Sequence, residues 1–147
     1  MTTVADKYIS VQQGMMFPVE KLIAEAKAAM ETAYVPYSNF PVGAALITDD
    51  GKIYQGCNIE NASYGLTCCA ERVAIFKAVA DGNKNIKALA VIANTDQPCS
   101  PCGACRQVMT EFNPDMEVYM VSKHGDVERT HASQLLPGFF DKKAMEE

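Results

Sequence analysis

The residues best suited to chemistry are cysteines in two short runs. One is Cys69-Ala70-Glu71 and the other is Pro101-Cys102-Gly103-Ala104-Cys105. A Cys-x2-Cys at a helix start presents two thiolates on one side of the first turn. Cys69 opens another helix, so all three sulfurs can converge on one ion. Zinc accepts thiolates tetrahedrally, and three protein ligands leave a fourth position for water. The partial positive charge at helix N-termini favours such thiolates, and two helices meeting end to end supply it twice. Glu71 lies on the same first turn and can approach the open side without being a ligand. There a carboxylate can take a proton from activated water and pass it to a substrate nitrogen. Alone, Glu71 reads as a first-turn acid stabilised by the helix dipole; beside three cysteines, the proton shuttle is the stronger reading.

Three thiolates around a dication leave a net charge of about -1, which weakens the metal as a Lewis acid unless a positive donor sits near sulfur. Arg72 follows Glu71 directly and is expected in that place; for Arg106, next to Cys105, a solvent-facing position is about as well supported. Cys99 keeps a second arrangement open. Cys99, Cys102 and Cys105 begin an iron–sulfur ligand pattern, but position 109, where the next cysteine belongs, is Met. A structural zinc site built from Cys69, Cys99, Cys102 and Cys105 would have no open position and no catalysis. Cys57 and Cys68 read as small buried side chains. His124 and His131 fall away from the constellation.

The elements that must position these residues follow from hydrophobic period. Val19, Leu22, Ile23, Ala26, Met30 and Ala33 recur at helical spacing, predicting a helix from Pro18 to about Tyr34 that Pro36 stops. Residues 34–41, with two prolines, predict an irregular loop. Residues 42–48 and 52–57 form a predicted hairpin with Asp50-Gly51 at its turn. A helix is expected from about Cys69 to Asp81. Its spacing is given by Ala70, Val73, Ala74, Lys77 and Ala78, and a second face is Val73, Phe76 and Ala80, suggesting burial on most sides. Ile86 to Ala93 reads as an interior strand, residues 105–112 as a helix, Met116 to Val121 as a strand, 127–130 as a weaker strand, and 132–136 as a helical turn. This α-β-β-α-β-α-β-(β)-α order fits a mixed sheet with helices on both faces. Residues 1–17 are expected to form an arm, and 18–147 a single domain.

Composition narrows the function classes. The chain has 147 residues, 48% hydrophobic and 21% charged, within the range of one ordinary globular domain. Its net charge of -5 gives no basic footprint for duplex phosphates and argues against nucleic acid as a partner. No apolar run suits a membrane span and no signal-peptide pattern is visible, so an intracellular, cytoplasmic location is expected.

SNFPVGAAL (38–46), GCNIENASYG (56–65), CAER (69–72), SPCGACRQV (100–108) and LLPGFF (135–140) together resemble the homotetrameric, zinc-dependent cytidine deaminases of pyrimidine salvage. The likeness runs in order from about residue 18 to 140. It implies an α/β fold, a three-layer α/β/α sandwich with a five-stranded mixed sheet. It also implies hydrolysis of cytidine or 2'-deoxycytidine to uridine or 2'-deoxyuridine with release of ammonia. Carried over, it makes Cys69, Cys102 and Cys105 ligands of one Zn2+ per chain, Glu71 the proton shuttle and Arg72 a donor to ligand sulfur. It puts Asn58 and Glu60 on a ribose hydroxyl, Phe40 against the base, Ala70 among the substrate-binding residues, and Tyr64 and Phe140 in a neighbouring subunit's site. Departures from the pattern are Cys99 in place of a small apolar residue, the bulkier Phe139, and a longer arm. A polynucleotide-editing deaminase uses the same zinc logic, but His would be expected where Cys69 stands.

Overall fold

The computed structural model describes residues 7–146. Its helices and strands are β1 (Tyr8–Ser10), β2 (Met16–Pro18), α1 (Val19–Met30), β3 (Val42–Thr48), β4 (Ile53–Cys57), α2 (Ala70–Ala80), β5 (Ile86–Ala93), α3 (Gly103–Phe112), β6 (Glu117–Val121), β7 (Val127–His131), α4 (Ala132–Leu135) and α5 (Lys142–Met145). The main sheet has the order β4-β3-β5-β6-β7. β3 pairs antiparallel with β4 and β5, β6 pairs antiparallel with β7, and β5–β6 is parallel. This is the expected five-stranded mixed sheet, and the hairpin turn falls on Asp50-Gly51, where Gly51 N–H donates to the Thr48 carbonyl.

Period-two alternation divides the strands between two cores. Ala44, Leu46, Leu89, Val91, Val118 and Met120 face one side, against Ala74, Ile75 and Ala78 of α2 and Cys105 and Met109 of α3. Ala45, Ile47, Ala88, Ala90, Ile92, Tyr119 and Val121 face the other, against Val19, Leu22 and Ala26 of α1. Because both faces are covered, β3, β5 and β6 read as nearly continuous apolar runs rather than alternating ones. The described residues thus form helix–sheet–helix layers.

Two details, in α1 and α2, differ from expectation. The first helix ends at Met30 rather than near Tyr34, because Tyr34 is drawn into backbone bonds with the 58–60 loop: its N–H donates to the Asn58 carbonyl, and Glu60 N–H donates to the Tyr34 carbonyl. The described part of the arm packs on its own chain. β1 and β2 form a two-stranded antiparallel ribbon, and Ile9, 1% exposed, enters the core beneath α1 with Val11. Helix α2 is buried on one face only. Ala70, Glu71, Ala74, Ile75 and Ala78 are buried, while Phe76 and Ala80 are exposed, because sheet and α3 cover a single side of it.

Candidate active site

The three cysteines take their places from two helix starts. Cys69 is the N-cap of α2 and Cys102 the N-cap of α3, both with extended backbone, and Cys105 lies in the first turn of α3. Neither cap side chain accepts a backbone N–H of its own helix, so the sulfurs are free to turn toward each other. Cys69 Sγ is 3.7 Å from Cys102 Sγ, and Cys102 Sγ is 3.6 Å from Cys105 Sγ. All three sulfurs lie within 4.8 Å of one another. A tetrahedral ion at zinc–thiolate bond length holds its sulfurs about 3.8 Å apart, so this donor set fits a metal ion. Cys99 stands outside the cluster. It packs half-buried against the core, its N–H donates to the Val121 carbonyl, and burial pushes its thiol up to about 11. Cys57 and Cys68 are partly buried.

Close approach of α2 to the sheet sets the depth of the site. Gly56 of β4 lies beneath the start of α2: a Cβ there would come within 2.3 Å of the Ala70 carbonyl and 2.5 Å of Ala74 N. With no side chain intervening, the first turn of α2 settles onto the strand, and Glu71 comes with it. Glu71 is 3% exposed, and its Oε1 has no hydrogen-bond partner among the described residues. A buried carboxylate oxygen without a partner is costly. Burial raises the Glu71 carboxyl above its ordinary range, and charge at Cys69 adds to this.

Arg72 Nη2 donates to Cys69 Sγ at 3.3 Å. The Cys105 thiol first, and the Arg72 guanidinium with it, hold the Cys69 thiol down to about 5 against the opposing effect of burial. The same pairing with Cys69, then burial, pushes the Cys105 thiol far above the usual range. Arg106 does not reach a sulfur. Its Nε donates to the Pro101 carbonyl at 2.9 Å, Nη1 to the Leu135 carbonyl at 2.8 Å and Nη2 to Ser100 Oγ at 2.7 Å. Each of its three nitrogens meets an acceptor, so the guanidinium serves as a brace.

Beside the cluster, backbone pairing gathers the loops. Ile59 exchanges both backbone bonds with Cys68, the residue before Cys69, and Tyr34 is bridged to Ile59 on its other side. The Asn58 side chain accepts from Val42 N–H at 2.9 Å and donates to the Phe40 carbonyl at 2.8 Å. It fastens the segment that carries Phe40. Glu60 Oε1 accepts from Tyr37 N–H and Ser38 N–H, and bonds from Ser38 and then Tyr37 hold its carboxyl below the usual value. A cleft of about 260 Å3 is lined by Tyr37, Ser38, Glu60, Tyr64 and Thr67. Tyr37 and Tyr64 meet edge-on with ring centroids 5.8 Å apart. Phe40, Tyr64 and Phe140 are exposed, at 44%, 74% and 60%. A larger groove, about 640 Å3, lies between the arm, the start of α1 and β7 and contains none of these residues. His131 lines that groove, and His124 contacts Asp96. Among the described residues, no helix is long and apolar enough to cross a membrane.

Comparison with known proteins places this geometry. The chain is 63% identical over 126 residues to a cytidine deaminase of Sporosarcina psychrophila, covering 85% of this chain and 93% of that one. It is 54% identical over 127 residues to a cytidine deaminase of Halalkalibacterium halodurans, covering 86% and 96%. The crystal structure of cytidine deaminase from Burkholderia pseudomallei superposes with a TM-score of 0.83 at 54% identity, covering 84% of this chain and all of that one. The family profile described as the cytidine and deoxycytidylate deaminase zinc-binding region matches residues 16–122, a span that holds the three-sulfur cluster, Glu71 and the loops around them. The chain belongs to the cytidine and deoxycytidylate deaminase family.

Proposed function

We propose that the chain hydrolyses cytidine and 2'-deoxycytidine to the corresponding uridines and ammonia, with one zinc ion held by Cys69, Cys102 and Cys105. The observation that carries this reading is the buried, unpartnered Glu71 Oε1 beside three converging sulfurs. The activity named for the relatives supports it. Zinc at the cluster supplies the Lewis acidity that makes water a nucleophile near neutral pH. Glu71 does the proton work. Its carboxylate accepts a proton from the attacking water, delivers it to the ring nitrogen next to the amino-bearing carbon, and then assists departure of the amino group as ammonia. Water enters, ammonia leaves, and Glu71 ends as it began. Burial suits it to this, since a carboxyl with a raised pKa holds a proton long enough to hand it on. Arg72, by donating to Cys69 Sγ, withdraws electron density from the sulfur and keeps the site acidic despite three thiolates.

For the substrate we assign Phe40 to the base. Ala70 takes part through its N–H, one of the helix-start donors without an intrahelical partner. Glu60 and the second N–H of Asn58 face the sugar hydroxyl, which an ionised carboxylate and an amide can recognise together. Residues 18–147 form the catalytic domain behind the arm at 1–17. The active assembly is a homotetramer in which Tyr64 and Phe140 complete a neighbour's site, a reading supported by their exposure and by the uncovered Phe76 face of α2. Metal analysis together with ammonia release from cytidine tests the proposal. One zinc per chain with uridine formed is expected. A metal-replete chain that leaves cytidine intact, or an absorption spectrum requiring four sulfurs, defeats it.

A further inference from the structure

Helix α3 carries two cluster cysteines at its start, and the next two residues reach in another direction. Arg106 spans from Ser100 and Pro101, just before Cys102, to the Leu135 carbonyl at the end of α4. Gln107 Nε2 donates to the Phe140 carbonyl at 2.8 Å. The segment 135–140 is thus held at both ends by backbone carbonyls. The Phe140 ring is not held: it is 60% exposed. With its carbonyl fixed by Gln107, the exposed Phe140 ring is limited in where it can point.

We propose that Arg106 and Gln107 are positioning residues, a clamp that fixes segment 135–140 relative to the three-cysteine cluster and presents the Phe140 ring to the substrate site of a second copy of the chain. The clamp makes the distance between cluster and ring a property of one helix. This rests on the reading above in which Phe140 serves a neighbour's site, but the clamp has a signature of its own. Arg106 touches no sulfur, and Gln107 is two residues past the last cluster cysteine with its amide already spent on the tail. Neither is expected to bind substrate, and loss of the clamp should appear as weaker capture of substrate rather than slower chemistry.

The chain contains no tryptophan, so Phe140→Trp introduces a sole indole reporter at the clamped position, excited at a wavelength where tyrosine does not absorb. Gln107→Leu keeps the side chain's bulk and removes the donor; Gln107→Lys restores a donor of similar reach. In zinc-loaded protein, Gln107→Leu is expected to leave metal content and assembly mass unchanged and to lower the emission anisotropy of the Phe140→Trp reporter. It should raise KM for cytidine roughly fivefold, the scale of one hydrogen bond, with kcat within about twofold. Gln107→Lys should recover both signals. In a Phe140→Ala background, Gln107→Leu should add nothing to KM, because the ring it positions is gone. Unchanged anisotropy overturns the clamp, and so do effects on KM that simply add in the double variant. If the wild-type chain fails to deaminate cytidine, the proposed activity falls, and the anisotropy of the Gln107 variants still decides the clamp.

Discussion

Glu71 illustrates how a position poor for stability can be suited to chemistry. An unpartnered buried carboxylate oxygen carries a desolvation penalty of about 1–3 kcal/mol, and Glu71 Oε1 is in that condition. Glu71→Gln keeps the size and removes the titratable carboxyl, so kcat should fall at least roughly 100-fold, the scale of lost general acid–base catalysis. Zinc content and thermal midpoint should hold. Turnover equal to wild type in a zinc-replete variant takes Glu71 out of the mechanism. The cysteines separate in the same assay. Cys102→Ala should lose both metal and thermal stability, since ligand binding and folding share their free energy. Cys99→Ala should keep one zinc and cost about 1 kcal/mol of packing. At this scale the cluster was legible because a Cys-x2-Cys at a helix start is a local geometry. The partners of Arg106 were not, because the carbonyl it meets belongs to Leu135, brought near only by the folded tail.

The strands were readable where burial on two faces wrote long apolar runs, as in Val42–Thr48 and Ile86–Ala93. Three-residue strands are too short to show a period, so β1 and β2 left no signal, and nothing local marks Ile9 as core. The early end of α1 at Met30 is likewise a tertiary effect, settled by where Tyr34 finds backbone partners. Between elements, the tightest constraint is the seat of α2 on β4. Gly56→Ala forces a methyl to within 2.3 Å of the Ala70 carbonyl. The helix start must lift, at a cost of about 1–3 kcal/mol for overpacking, and Cys69 and Glu71 lift with it. Gly65→Ala, where a Cβ meets open space, serves as the neutral comparison. Urea midpoints and competition with a zinc chelator should both report a loss for Gly56→Ala alone; equal zinc affinity in the two variants would separate helix seating from the metal site.

For the whole molecule, the exposed Phe76, Tyr64, Leu66 and Phe140 are more apolar surface than a lone chain gains by showing to water. Closed symmetry would cover them repeatedly with identical contacts. Light scattering across dilution, paired with activity on cytidine, should show mass and specific activity falling together. A stable monomer with full activity defeats the shared-site reading and leaves the zinc chemistry standing. Phe140→Ala should raise KM more than it lowers kcat, as expected when a packing contact serves ground state and transition state alike. The parallel β5–β6 pair bears on the history of each molecule rather than its final form. Its connection, residues 94–116, contains Cys102 and Cys105, whereas Cys69 lies 33 residues before Cys102. Two of the three sulfurs are therefore neighbours in the unfolded chain, but the third arrives only when a long loop closes, the slow kind of event in folding. A metal ion captured early by the near pair would wait for α2, and the complete cluster exists only once the crossover has formed. An ion bound there would act chiefly as a latch on the finished fold, prolonging the native state's lifetime more than it hastens its formation.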